Sequence, residues 1–83
     1  MDNKITVLKS MGIKKSKTIS KKFGKSLRKS RLEKRMSQGD IARALGVHRS
    51  YISGLERGVR NPTLLNIGRL AKAVGVELSK LLE

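Results

Sequence analysis

The chain has 83 residues, enough for one small domain. Twenty Lys and Arg face six Asp and Glu, a net charge of +14 that points to a polyanion partner, nucleic acid before an anionic membrane surface. Cysteine is absent, which excludes a disulfide framework and a thiolate metal site. No apolar run approaches the roughly 20 residues of a membrane span, and the N-terminus lacks the apolar core of a signal peptide, so a cytoplasmic protein is expected. Phe23 and Tyr51 are the only aromatic residues, too few for a protein that stacks single-stranded bases on several rings.

In chain order, residues 1–18 form a lysine-rich, flexible N-terminal arm. Residues 1–25 carry eight lysines and one acid, whereas most of the twelve basic residues after them are arginine. Ile5, Val7, Leu8, Met11 and Ile13 offer a short strand or a dimer contact within the arm. From residue 19 to 83 the pattern is that of an all-α domain of five helices. The first starts near Ser20, a plausible N-cap. It carries an apolar stripe of Ile19, Phe23, Leu27 and Leu32 and ends near Arg35. The second follows the N-cap Ser37, buries Ile41, Ala42 and Leu45, and stops at Gly46. The third runs from His48 or Arg49 to Arg57 and stops at Gly58. Asn61-Pro62-Thr63 is a turn and an N-cap. The fourth spans Leu64 to Val74, with Leu64, Ile67, Ala71 and Val74 inward and Gly75 after it. A short fifth helix holds Leu78, Leu81 and Leu82.

The stretch GVHRSYISGLERGVRNPT, Gly46 to Thr63, carries the function. Small Ala42 lets the third helix cross the second closely, Gly46 supplies a tight turn, and Ile52 and Leu55 seat the third helix. This is a helix-turn-helix, whose second helix enters the major groove of DNA. At 100° per residue, Ser50, Ser53, Gly54 and Arg57 fall opposite Ile52 and Leu55, with Arg49 at the edge of that face. Arg49 can bond a guanine edge bidentately, a contact worth about 1–3 kcal/mol of discrimination. Ser50 and Ser53 can donate to bases or phosphates, and Gly54 would allow close approach to the groove. Gln38 would bind a phosphate from the start of the second helix. His48 lies near the phosphates at the start of the third, while Arg60 and Asn61 would grip the backbone beyond it.

The run SQGDIARALGVHRSYISGLERGVRNPTLLNIGRLAKAVGV resembles the helix-turn-helix domain of the Cro/cI-like (XRE) family of phage repressors and bacterial regulators. The likeness covers about residues 20–83. It is dense at Ser37-Gln38, Ile41-Ala42, Gly46-Val47, Tyr51-Ile52-Ser53, Leu55-Glu56, Gly58, Arg60, Pro62, Leu70-Ala71 and Val76. Within the family, HRSYISGLERGVRNPTLLNI is most similar to controller proteins of restriction–modification systems. The resemblance implies a lambda-repressor-like five-helix fold, a symmetric homodimer on a palindromic operator, autoregulation, and RNA polymerase as a further candidate partner. It also implies a structural ion pair between Arg31 and Glu56. Gly39 departs from the family pattern and should weaken the second helix by about 0.5–1 kcal/mol.

Blander readings stand beside these. Arg49 and Arg57 can be ordinary solvated charges, and Ser50 and Ser53 ordinary surface residues. A lone His48, with no cysteine and no second histidine, makes no metal site. Tyr51 packs, with its hydroxyl near phosphate. Ser16, Ser20 and Ser26 lie near lysines, but the chain is small for a hydrolase pocket, so no enzyme activity and no cofactor are expected. The arm adds phosphate affinity, or reads a groove. Leu78, Leu81 and Leu82 either cap the core or join the C-terminal helices of two chains. The competing functions are a nonspecific architectural DNA binder and an antitoxin-type interaction module.

Overall fold

The computed structural model describes the backbone of residues 2–83 and the side chains of residues 18–83. The arm expected over residues 1–18, with its apolar residues Ile5, Val7, Leu8, Met11 and Ile13, therefore lies, up to residue 17, outside the described side chains. Among the described residues five helices are formed: α1 (Asp2–Glu33), α2 (Gln38–Leu45), α3 (Arg49–Glu56), α4 (Leu64–Val74) and α5 (Leu78–Leu81). Among the described residues there is no strand.

Each helix start and stop has a local cause. Ser37 and Asp40 form a reciprocal capping box: Asp40 N–H donates to Ser37 Oγ at 3.0 Å, and Ser37 N–H to Asp40 Oδ2 at 2.8 Å. The bond from Ser37 N–H to its carboxylate lowers the pKa of Asp40 from its ordinary value. Thr63 caps α4 by accepting from Asn66 N–H at 3.1 Å. Helices α1 to α4 all end in the same reverse turn. Its pivot residue has positive φ, and the following residue donates back to the helix. Gly46, Gly58 and Gly75 take the pivot after α2, α3 and α4, but Arg35 takes it after α1, at φ 55°.

The core is one cluster fed by every helix: Phe23 and Leu27 from α1, Ile41, Ala42 and Leu45 from α2, Ile52 and Leu55 from α3, Leu70, Ala71 and Val74 from α4, and Leu81 from α5. Met36, Val47, Tyr51 and Ile67 pack against its edge.

Several expectations need correction. The first helix does not begin at Ser20, because Thr18 and Ile19 are already helical. Ser20 is buried and donates its hydroxyl to Asn61 Oδ1 instead of capping. That helix ends at Glu33, near Arg35 as expected. Leu32 is exposed: five residues beyond Leu27, it is turned about 140° off the buried stripe. Ile19 is exposed as well, and Leu64, expected inward, is 80% exposed. Leu64 lies two turns from Ala71 on the same side of α4, where nothing among the described residues covers it.

Candidate nucleic-acid interface

The interface is built on α2, the turn at Gly46 and α3. Gly46 N–H donates to Arg43 O at 3.3 Å and Val47 N–H to Ala42 O at 3.0 Å, which reverses the chain within three residues. Ile52 and Leu55 are fully buried and lock α3 against α2 and α1. Gly24 allows the approach of α1. A Cβ at that position would sit 2.4 Å from Leu55 O and 2.6 Å from Glu56 O, so the α3 backbone lies directly on the glycine. The sequence pattern did not single out Gly24. A glycine inside an apolar stripe, one residue after Phe23, was the available signal.

A buried polar cluster fixes the far end of α3. Arg31 Nε donates to Glu56 Oε2 at 2.6 Å and Arg31 Nη2 to Glu56 Oε1 at 2.9 Å, a bidentate pair whose side chains are 10% and 4% exposed. Arg31 Nη1 also donates to Met36 O at 2.9 Å. The bond to Glu56 raises the already high pKa of Arg31. An acid in the last position of a helix opposes its dipole, and the guanidinium offsets that. Gln38 Nε2 donates to Glu56 Oε1 at 3.1 Å. The amide group expected on a phosphate is thus turned inward here and ties the start of α2 to the end of α3.

The remaining site residues divide into exposed and engaged ones. His48 is the N-cap residue of α3, exposed, and makes no side-chain cap bond. Arg49 and Ser50, the first two residues of α3, are exposed, as is Arg57 at its C-terminal end. Their side chains make no hydrogen bond or ion pair among the described residues. Ser53 is half-buried on the same helix. Arg60 is exposed and stands 5.9 Å from the centre of the Tyr51 ring. Asn61 is exposed, but its side-chain oxygen accepts from Ser20.

Gly54 does not face a groove, contrary to expectation. It is buried, a Cβ there would meet Arg60 Cγ at 2.8 Å, and its carbonyl accepts from Val59 N–H at 3.0 Å and Arg60 N–H at 3.3 Å. The glycine makes room for the chain that turns back after α3. The face left to a ligand is therefore Arg49, Ser50, part of Ser53 and Arg57. It is small, polar and cationic, fitting a groove floored by acceptors and walled by phosphates. Among the described residues no three His, Cys, Asp or Glu side chains gather as metal ligands, and no helix is long and apolar enough to cross a membrane.

Comparison with known proteins agrees with this geometry. A helix-turn-helix family model matches residues 25–81. The control protein C.BamHI of Bacillus amyloliquefaciens is 47% identical over 62 residues, covering 74% of this chain and 76% of that protein. The crystal structure of the restriction–modification controller protein C.AhdI from Aeromonas hydrophila superposes with a TM-score of 0.71 at 45% identity, over 75% of this chain and 94% of that one. The controller protein C.Esp1396I, solved as a tetramer in complex with its natural 35 base-pair operator, superposes with a TM-score of 0.66 at 32% identity, over 78% and 96%. With the family matched over most of its length, this chain belongs to the helix-turn-helix family of DNA-binding transcription regulators.

Proposed function

We propose that the chain is a cytoplasmic controller-type regulator that reads a palindromic operator as a symmetric homodimer and controls its own operon. The observation that carries this is the division of labour on α3. Glu56 and Tyr51 are held inside the domain, while Arg49, Ser50 and Arg57 stay exposed with no partner among the described residues. In this reading Arg49 contacts a guanine edge and Ser50 a neighbouring base or phosphate. Arg57 and Arg60 grip the backbone, with His48, Gln38 and Asn61 along its path. Gln38 and Asn61 reach phosphate through whatever their internal bonds leave available.

One α3 covers only a short half-site, so two are needed, about one helical turn of DNA apart. The C-terminal half of the domain offers the joining surface. Leu64 and Leu65 on α4 are 80% and 73% exposed, and Leu78 at the start of α5 and Leu82 just after it are also exposed, whereas Leu81 belongs to the core. Ile19, Phe23, Pro62, Ile67 and Leu82 line an adjoining apolar groove. Covering such a surface with its own copy is the commonest solution. The lysine-rich arm adds phosphate affinity, and RNA polymerase is a candidate contact once the operator is occupied.

The test is a binding titration of the full chain on the DNA upstream of its own gene, with scrambled competitor, at two salt concentrations. Two chains per site, resisting competitor by about a thousandfold, support the proposal. Binding that is indifferent to sequence and collapses with salt would favour the architectural reading, which rests on the +14 charge. Stoichiometric co-purification of another protein would favour the interaction module.

A further inference from the structure

The turn between α2 and α3 is bridged from outside by two residues of α4. Asn66 Nδ2 donates to Tyr51 Oη at 3.0 Å. Arg69 Nη1 donates to Asn66 Oδ1 at 3.2 Å, and Arg69 Nη2 donates to the carbonyl of Leu45. Tyr51 lies in the first turn of α3, and Leu45 is the last residue of α2. The pair thus holds both helix ends that border the turn. Each end needs such a hold. The N-terminus of α3 has no side-chain cap, because His48 makes none. The carbonyl of Leu45 belongs to the last turn of α2, where a guanidinium also complements the dipole. Asn66 is itself fixed, since its N–H is bound by the Thr63 cap.

We infer that Asn66 and Arg69 are positioning residues for DNA reading, a clamp that sets the angle of α3 relative to α2 and so the pose of Arg49 and Ser50. The inference rests on the reading that α3 enters the groove. The chemistry is specific. Asn66 must donate to one partner and accept from the other, which an amide does with one side chain. Arg69 must span two acceptors with a planar fork, which a lysine ammonium does not reproduce. The clamp lies on the helix that also carries Leu64 and Leu65, so a partner seated on those leucines would press on the element that aims α3.

The experiment uses the full chain and the duplex that the wild-type protein enriches from a random pool, beside a scrambled duplex of equal length. The variants are Asn66→Ala, Arg69→Lys and the double. Arg69 is exposed and the lysine keeps its charge, so Arg69→Lys folds even where Asn66→Ala is weakened. Each single variant is expected to lose about tenfold in preference for the enriched duplex, with affinity for the scrambled duplex unchanged. The double should lose little more than the worse single, because the two act as one unit. A preference kept in both singles overturns the inference and leaves the operator reading standing. So do an equal loss on both duplexes, full rescue by lysine, or losses that multiply in the double. A wild-type chain that enriches no sequence removes the operator reading and the clamp together.

Discussion

Replacing Gly24 by alanine sets two effects against each other, and the structure decides between them. Alanine in a helix interior is favoured over glycine by about 1 kcal/mol. Against this, the new methyl group would lie 2.4 Å from Leu55 O and 2.6 Å from Glu56 O. Both obstacles are backbone atoms of the last turn of α3, so no flexible side-chain end can yield. α1 and α3 must separate by about an ångström to restore van der Waals distance. That movement loosens Leu55, fully buried, and the Arg31–Glu56 pair that spans the same two helices. Overpacking of this kind costs about 1–3 kcal/mol, and a rigid obstacle places it at the upper end. The net expectation is a loss of about 2 kcal/mol, or about 10 °C in Tm for a domain of this size. Gly68→Ala is the control. Gly68 is exposed within α4 and a Cβ there meets nothing within 4 Å. The same substitution should therefore raise Tm by about 5 °C. Thermal unfolding of both variants, followed by helix signal, makes the comparison. A Gly24→Ala protein at least as stable as wild type would refute the close α1–α3 contact.

Glu56→Ala leaves the Arg31 guanidinium buried without its carboxylate and should cost about 3 kcal/mol or more, a large share of the stability of such a domain. Urea unfolding should show the double change Arg31→Met with Glu56→Leu recovering much of that loss, and equal loss in both proteins would contradict the buried pair. Arg35→Gly removes a side chain from a left-handed pivot and should raise stability by about 1 kcal/mol, read as a higher urea midpoint with an unchanged slope. The Asp40 carboxyl is held below its ordinary pKa of about 3.9 by the Ser37 bonds. A depressed folded pKa means that its contribution is present above that ordinary value and is lost as pH falls through the lower, folded one. The Tm difference between wild type and Asp40→Asn should therefore be full well above the ordinary carboxylate value and shrink only as pH falls below it. A difference that does not change with pH would deny the capping box.

The parts of this protein legible in the sequence are those where one residue type answers one local need. Ser37, Thr63, Gly46, Gly58 and Gly75 bound helices by backbone hydrogen bonding, which reaches only a few residues along the chain. Ile52, Leu55, Leu70 and Val74 recur at helical spacing because a face must be buried. What the sequence concealed depends on elements far apart in the chain. Gly24 is a packing requirement imposed by the carbonyls of Leu55 and Glu56. Gly54 looked like part of the open face of α3, yet the chain after Gly58 folds back over it and brings Arg60 against it. Ser20 read as a cap because serine favours caps, but its partner is Asn61, forty-one residues on. Leu64 has the azimuth of a core residue and lacks only something to cover it. Among the residues expected at the interface, the sequence did not tell which side chains already have partners inside the domain. Gln38 and Asn61 have internal partners, and Arg49 and Arg57 have none among the described residues.

That occupancy gives the interface its electrostatic logic. A helix-turn-helix must keep cations toward phosphate without letting them collapse onto its own acids. Here Glu56 is consumed by Arg31 and Gln38, and Asp40 by Ser37 and Arg43. Both acids of α2 and α3 are thereby bound within the domain. Arg49, on α3, and Arg57, just after it, make no ion pair among the described residues. The consequence is separable by mutation. Arg49→Ala should lower affinity for the operator by about tenfold or more while barely changing affinity for scrambled DNA, because it deletes a base contact. Arg57→Ala should weaken both about equally and reduce the slope of log affinity against log salt by about one, because it deletes a phosphate contact. Titration of both variants on both duplexes across a salt series distinguishes the two roles. If Arg49→Ala lost affinity uniformly and with a reduced salt slope, the first turn of α3 would be a backbone anchor, and sequence would have to be read elsewhere on the domain.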